Sequence, residues 1–364
     1  MAVSHGRSLS PAEPNPIDAS PVNPNPVNPN PADLEPVSSA VREVRAAVRR
    51  FLATHNSGDT VAVACSGGAD SLALAAATVH SAERLGLAVH GLVVDHQLQP
   101  DSARVAQTAA QVLHRLGATA ARVLQTTVDG PGGPEAAARQ ARYVALREAA
   151  PTGALVLLGH TLDDQAETVL LGLGRGSGPR SVAGMRELDP PWGRPLLGVR
   201  RTVTAAACAA MGLVPWTDPH NAEPRFRRVR LRTEVLPLLE DVLAGGVAKA
   251  LARTAKQLQE DLDVLDGQAL GLLAAASRTP EPDPDAAADP GAADLDVAAL
   301  AQAPAALRRR VLRRWLLDTG VAELTDAHLR AADDLIGRWS GQGALRLPGD
   351  VELVRAHGRL HATR

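Results

Sequence analysis

The sequence predicts an α/β protein: a doubly wound, mostly parallel sheet followed by a smaller, mainly helical C-terminal domain. Three observations carry that expectation. Between residues 60 and 172, short apolar runs alternate with segments of helical spacing, the rhythm of a parallel sheet. Runs such as Ala88-Val-His-Gly-Leu-Val-Val94 and Ala154-Leu-Val-Leu-Leu158 are almost continuously apolar, as strands are when helices cover both faces. The polar motifs lie just beyond such runs or on the helix that follows, where ligands gather in sheets of this kind.

Taken in order, residues 1–37 read as a disordered tail. Residues 11–36 are Pro, Asn and small residues, and VNPNP occurs twice in tandem, so backbone donors are lost and little can be buried. Order is expected from Ser38, where Val41, Val44, Val48, Phe51 and Leu52 recur at helical spacing. The pattern then predicts strands at 60–65, 88–94, 121–126 and 154–159, and helices at 70–85, 102–117, 134–149 and 163–172. Residues 173–203, rich in Gly, Pro and Arg, predict a mobile loop over the sheet edge. Helical spacing resumes at 204–211, 226–241 and 246–275, and 276–294 reads as a linker of Pro, Asp and Ala. Two further helices near 305–318 and 326–339 precede short strands around Gly349 and Gly358. The division expected is a tail at 1–37, a first domain at 38–243 and a second at 244–364.

A chain of 364 residues that is 45% hydrophobic has enough material for two cores. A net charge of −2 excludes binding of a polyanion through the overall field, so any such partner must meet a local patch. The two cysteines, Cys65 and Cys208, are too few for a disulfide framework or a four-ligand zinc site. With no apolar run long enough to cross a bilayer and no secretory pattern at the N-terminus, the expectation is a cytoplasmic protein without a membrane partner.

The most informative stretch is Val61-Ala-Val-Ala-Cys-Ser66-Gly67-Gly68-Ala69-Asp70-Ser71. A strand enters a loop whose two glycines permit backbone N–H groups to converge on an anion at a helix start. Asp70 would repel phosphate unless it holds a magnesium ion that the phosphates share. No GK[ST] follows, which excludes the P-loop grip on β- and γ-phosphates and points to the pyrophosphate of an AMP-forming enzyme. After the second strand stands Val94-Asp95-His96-Gln97-Leu98-Gln99-Pro100-Asp101-Ser102, which serves either a ligand or a turn and helix cap. On the fourth predicted helix, Glu135, Arg139 and Arg142 share one side, as a surface ion pair or as a phosphate clamp. In His160-Thr161-Leu162-Asp163-Asp164-Gln165-Ala166-Glu167-Thr168, Asp163 and Glu167 lie four apart. Unpaired acids so placed repel each other and would be relieved by magnesium or by an ammonium group; Asp163 can also simply cap the helix. Arg225, Arg227, Arg228, Arg230 and Arg232 form an electrostatic footprint suited to RNA phosphate, or a solvated helix start. A second basic run, Arg308, Arg309, Arg310, Arg313 and Arg314, carries the same two readings. Cys65 reads as a small buried residue.

SGGADS after a strand resembles the signature of the PP-loop ATP pyrophosphatase superfamily, with its HUP-like fold. VDHxLxPxS, ExxARxxRY, HxxDDQxET, the pair Arg175-Gly-Ser-Gly178 and Arg194-Pro-Leu-Leu197, and Asp218-Pro-His-Asn221 follow in an order that resembles the tRNA(Ile)-lysidine synthetase family. The family commonly has a second His at the place of Thr161, Ser at that of His220 and Asn at that of Arg228. The resemblance covers residues 61–232 by motif; the C-terminal third matches by helical pattern only. It implies ATP and magnesium as cofactors, and L-lysine and a tRNA(Ile) with a CAU anticodon as substrates; a homodimer is possible. ATP would activate O2 of the wobble cytidine, and lysine would attack C2 with release of AMP. The residues it implies for ATP are Ser66, Gly67, Gly68, Ala69, Asp70, Ser71, Asp95, His96, Arg139 and His160, with magnesium on Asp70. Asp70, Arg139, Asp163, Asp164 and Glu167 are the catalytic candidates, and Arg175, Asn221, Arg227, Arg228 and Arg230 the tRNA contacts. It makes 38–243 the catalytic domain and 244–364 the tRNA-binding domain. A tRNA thiolase or an amidating synthetase on the same scaffold is the alternative; the former needs extra cysteines, and the latter needs no arginine stripes.

Overall fold

The computed structural model describes residues 38–56, 58–97, 101–127, 134–176, 178–217, 223, 226–277 and 294–363, with the side chains of 134–136 left aside. The expected tail, most of the expected linker, Asn221 and the side chain of Glu135 lie outside the described residues.

Helix α1 (Ser39–His55) leads into the alternating pattern β1 (Thr60–Ala64), α2 (Ala69–Leu85), β2 (Ala88–Asp95), α3 (Ser102–Leu116), β3 (Ala120–Gln125), α4 (Pro134–Ala149), β4 (Leu155–Leu157) and α5 (Leu162–Arg175). Each falls within a few residues of the position that its periodicity predicts. Val61 and Val63 face a core built with α1, α2 and α3, whereas Ala62 faces Leu92, Leu146 and Val156 on the other side. This alternation is why the strand is apolar at every position.

The sheet order is β3-β2-β1-β4-β6-β5, where β5 is Leu188–Asp189 and β6 is Trp192–Gly193. Strands β1 to β4 and β6 run parallel, and β5 is antiparallel to β6. The order reverses between β1 and β4, which opens a crevice outside their carboxyl ends.

Residues 173–203 correct the expectation of a mobile loop. After α5, a short α6 (Pro179–Val182) leads to the β5–β6 hairpin, and the amides of Val156 and Leu158 donate to Pro191 O and Gly193 O at 2.7 and 2.8 Å. Trp192, Leu196 and Val199 are buried, so the Gly- and Pro-rich composition masked an apolar core contribution. Gly193 is required by contact: a Cβ there would lie 2.5 Å from Phe51 Cζ.

Helix α7 (Arg201–Ala210) begins three residues before its expected start at 204. Next come α8 (Arg227–Arg230), a π-helical turn at Leu231–Val235 and α9 (Leu236–Val242). The π turn ends two residues before Pro237, which has no N–H to continue the ladder. The 30-residue α10 (Val247–Ala276) packs on α5 through Leu251 and Ala252 near its start, and contributes Ala269 and Ala276 to a second core. That core is completed by β7 (Leu295–Asp296), α11 (Val297–Ala301), α12 (Ala305–Asp318), α13 (Asp326–Gly337), β8 (Leu345–Leu347), β9 (Val351–Ala356) and β10 (Arg359–Thr363). The last strands form an antiparallel sheet of order β7-β10-β9-β8, with Gly349 and Gly358 at its turns. Among the described residues, no helix is long and apolar enough to cross a membrane.

Candidate active site

The phosphate-type loop is braced from inside. Ser71, buried in the first turn of α2, accepts the Ser66 amide at 3.1 Å and donates to Gly68 O at 2.9 Å, so one hydroxyl ties both limbs of the loop. Gly67 adopts the left-handed φ of +83°, and its carbonyl accepts the Trp216 amide at 3.0 Å. Gly68 does not share this conformation: at φ −75° and ψ 164° it is ordinary extended backbone, so only the first glycine is needed for its torsion. Gly68 is the N-cap of α2 and provides no capping side chain, which leaves the positive end of a 17-residue helix facing the crevice. Cys65 is buried 3.6 Å from Ser71 Oγ, and burial pushes its thiol up.

Four acids converge from α2 and α5. Thr161 caps α5, and Asp164 Oδ2 accepts the Thr161 amide at 2.8 Å and its hydroxyl at 2.7 Å, closing a capping box. The other Asp164 oxygen accepts Arg201 Nη2 at 2.6 Å. Burial alone would raise the Asp164 pKa, but Arg201 and the Thr161 hydrogen bonds outweigh it and hold the carboxyl below its ordinary value. Glu167 is fully buried, and its carboxylate accepts Arg232 Nε at 2.9 Å and Arg201 Nη1 at 3.4 Å, with Arg228 Nη1 at 3.7 Å. Asp163 accepts the Arg201 amide at 2.8 Å and pairs with Arg200 Nη2 at 3.0 Å. Asp70 accepts the Thr204 hydroxyl on one oxygen and Arg201 Nε at 3.4 Å on the other. Burial raises its pKa, an effect that Thr204 and Arg201 reduce without cancelling.

Asp163 and Glu167, which read from the sequence as acids to be relieved by magnesium or an ammonium group, have cationic partners within the chain. Each is met by arginine, and Arg201 joins Asp70, Asp164 and Glu167 in one cluster. Arg200, Arg201 and Thr204 were not legible as site residues. Their one signal is a pair of arginines at the start of a helix, 37 residues from Asp164 in the chain.

The remaining candidates divide. His160 follows β4 and stands beside Asp164; burial, then the charges of Arg142, Arg194 and Arg139, push its pKa down to about 3, although Asp164 opposes them. Asp95 is buried and accepts the Gln97 amide at 3.0 Å, with Gln97 at φ +56°, which is turn chemistry. His96 is half-buried, and burial lowers its pKa. Arg139 is exposed, donates to Tyr143 Oη at 3.1 Å and lies over that ring. Arg175 is exposed in the last turn of α5, about 18 Å along the helix from Asp163. Arg227 is exposed, while Arg230 pairs with Glu234 at 2.8 Å. Arg228 faces Glu167 and Thr168 in the crevice, on the inner side of its short helix.

Behind Glu167 lies a cleft lined by Asp163, Glu167, Glu240, Arg200 and Arg232, with Leu236, Pro237 and Ala248 as its apolar wall. Glu240 also caps α10, accepting the Val247 and Ala248 amides at 3.0 and 3.1 Å. These bonds, that from Ala248 foremost, hold its pKa below the ordinary value. The cleft therefore combines three acids, two guanidinium groups and an aliphatic surface, which suits a ligand with both charges and a methylene chain.

Residues 40–239 match the family described as PP-loop domain, and residues 295–361 match the TilS substrate binding domain. The tRNA(Ile)-lysidine synthase of Rhodococcus jostii (strain RHA1) is 55% identical over 331 residues, covering 90% of this chain and 96% of that protein. The tRNA(Ile)-lysidine synthase of Mycobacterium tuberculosis (strain ATCC 25618 / H37Rv) is 55% identical over 312 residues, covering 84% and 90%. Among solved structures, a U34-tRNA thiolase from Methanococcus maripaludis aligns with a TM-score of 0.50 at 18% identity, covering 61% of this chain and 80% of that one, a likeness of fold alone. With both domain families matched in order and relatives of this identity aligned over most of its length, the chain belongs to the tRNA(Ile)-lysidine synthase family.

Proposed function

We propose that this protein joins L-lysine to C2 of the wobble cytidine of a tRNA(Ile) with a CAU anticodon, through an adenylated tRNA, releasing pyrophosphate and AMP and changing codon reading from AUG to AUA. The observation that carries this reading is the juxtaposition of the Ser66–Ser71 loop with the charged cleft behind Glu167, on either side of Arg201. Lysine has two ammonium groups and one carboxylate; the cleft offers three acids, two arginines and an apolar wall for the methylenes.

The chemistry divides into two steps. A pyrimidine carbonyl oxygen leaves poorly, whereas an adenylated oxygen departs as AMP, so each barrier is lower than that of a direct displacement. The loop amides and the N-terminus of α2 hold the phosphates. Asp70, in the first turn of α2 beside the loop, is the protein carboxylate that would hold a magnesium ion carried by the nucleotide. Such an ion would neutralise charge on the departing pyrophosphate. Glu167 and Asp163 orient the lysine ammonium groups, and Arg232 its carboxylate. In this reading, 38–243 form the catalytic domain and 244–364 grip the tRNA, in the cytoplasm.

Sulfur transfer is disfavoured by both thiols. Cys65 is buried, and burial with the Asp70 charge pushes Cys208 up to about 11, so neither supplies thiolate at neutral pH.

Labelled lysine, ATP and tRNA(Ile) transcripts with CAU or an altered wobble base test the reading. Label should enter the CAU transcript alone, with one AMP formed per lysine joined. Label independent of the wobble base, or AMP without transfer, would overturn it.

A further inference from the structure

Gln165 stands between Asp164 and Glu167 in the chain, yet the reaction as described gives it no task. It is buried, and its amide closes a pair with Met185: Nε2 donates to Met185 O at 2.8 Å, and Oε1 accepts the Met185 amide at 2.8 Å. Gly184, at φ +64°, permits this approach, since a Cβ there would lie 2.7 Å from Gln165 Oε1. The acid-bearing helix α5 is thereby tied to the segment 180–186.

That segment is gripped in turn by α10. Gln259 Nε2 donates to Ala183 O at 2.6 Å and to the same Met185 O at 3.0 Å. One turn on, Asp263 takes the Arg186 guanidinium through both oxygens, at 2.5 and 2.9 Å. Asp266 Oδ1 then accepts two guanidinium groups, Arg180 Nη2 of α6 at 2.5 Å and Arg310 Nη1 of α12 at 2.7 Å. The spacing of 259, 263 and 266 sets the three side chains on one side of α10, over about 10 Å of its length. Arg180 belongs to the first domain, whereas α12 lies in the second core through Val311, Leu312 and Trp315. One carboxylate oxygen therefore joins the two domains. The pairs of Arg180 and Arg186 are partly exposed, and such pairs contribute little to stability; what a two-oxygen arginine contact supplies is orientation.

We infer that Gln259, Asp263 and Asp266 are positioning residues for the transfer, which hold the second domain at a fixed offset from the α5 acids so that one tRNA engages both. The inference rests on the proposed tRNA reading. Two sites on one ligand reinforce each other only while their separation matches it. Here the separation is carried by α10, whose start packs on α5 and whose end enters the second core. Without the three contacts to 180–186, only that single helix and its apolar packing would set the angle.

Spin labels on Glu83→Cys and Gln302→Cys, both at exposed positions, report the distance between the domains in the full chain, because the native Cys65 and Cys208 are buried. The distance distribution should be narrow in the otherwise wild-type chain and broad once Asp263→Asn and Asp266→Asn are added. In kinetics, the same two substitutions should raise KM for tRNA about tenfold while KM for ATP stays within about twofold. Arg180→Gln removes the first-domain arm but leaves Arg310 on Asp266, so it should move both readouts in the same direction and carries the test if the double variant unfolds. A distribution that stays narrow, an unchanged KM for tRNA, or equal rises in KM for tRNA and ATP would overturn the positioning role while leaving the proposed function standing. A wild type that binds no tRNA would overturn the proposed function, and this role with it.

Discussion

Arg232 Nε lies 2.9 Å from Oε1 of the fully buried Glu167, and it is the closest of three guanidinium groups on that carboxylate. Removing one partner of a buried pair strands a charge, but Arg201 and Arg228 remain at 3.4 and 3.7 Å. Arg232→Gln should therefore cost about 1–3 kcal/mol in urea unfolding, less than the loss of a lone pair. If Arg232 also receives the lysine carboxylate, KM for lysine should rise more than kcat falls. An unchanged KM would remove it from the lysine site.

The two loop glycines should separate in mutagenesis. Gly67→Ala meets only ordinary contacts, Ala109 Cβ at 3.6 Å and Trp216 Cβ at 3.9 Å, so its cost is the left-handed backbone, about 1–2 kcal/mol. Gly68→Ala carries no such strain and should change stability by less than about 0.5 kcal/mol. Its methyl group would nevertheless crowd the N-terminus of α2 and raise KM for ATP. Thermal melts and ATP kinetics on both variants check the distinction.

Asp70→Asn should abolish AMP formation without unfolding the protein. Because burial raises the Asp70 pKa above 3.8, its contribution to stability is complete below that pH and is lost as pH rises through the folded value. Asn does not titrate, so the variant should gain on the wild type between pH 4 and 7. Urea unfolding at both pH values measures this, and a variant that loses ground as pH rises would reverse the sign argued here.

His160 should show the opposite dependence. Its folded pKa is lowered from 6.5 to about 3, so stability is complete above 6.5 and is lost as pH falls toward 3. Relative to His160→Gln, the wild type should lose up to about 1.4 kcal/mol per pH unit across that window, the slope for one proton. Parallel pH profiles for the two proteins would show that His160 is not buried in its neutral form.

The C-terminal arginine run divides in the same way as the first. Arg308 pairs with Asp333 at 2.6 Å, Arg310 with Asp266 at 2.7 Å and Arg314 with Asp318 at 2.9 Å, whereas Arg309 and Arg313 have no carboxylate partner among the described residues. Replacing Arg309 and Arg313 together by Ala should lower the salt slope of tRNA binding by about 2 and leave the melting temperature unchanged. Arg308→Ala should instead destabilise by about 2–4 kcal/mol, because Asp333 is buried.

The chain by itself determined where the strands and helices of the first sheet lie, that the loop after β1 opens on a helix terminus, and that acids stand at the end of β4. Those are local matters: side-chain period, glycine torsion and capping act within a few residues, and they are written into any window that contains them. Tertiary structure alone decided how the charges are shared. Arg201 lies 131 residues from Asp70, and the β5–β6 hairpin that buries Arg194 was masked by loop-like composition. Arginines in one run became crevice groups, structural pairs or free surface according to the acids that folding brought near. Coulombic and hydrogen-bond energies depend on separation in space, for which distance along the chain is no guide.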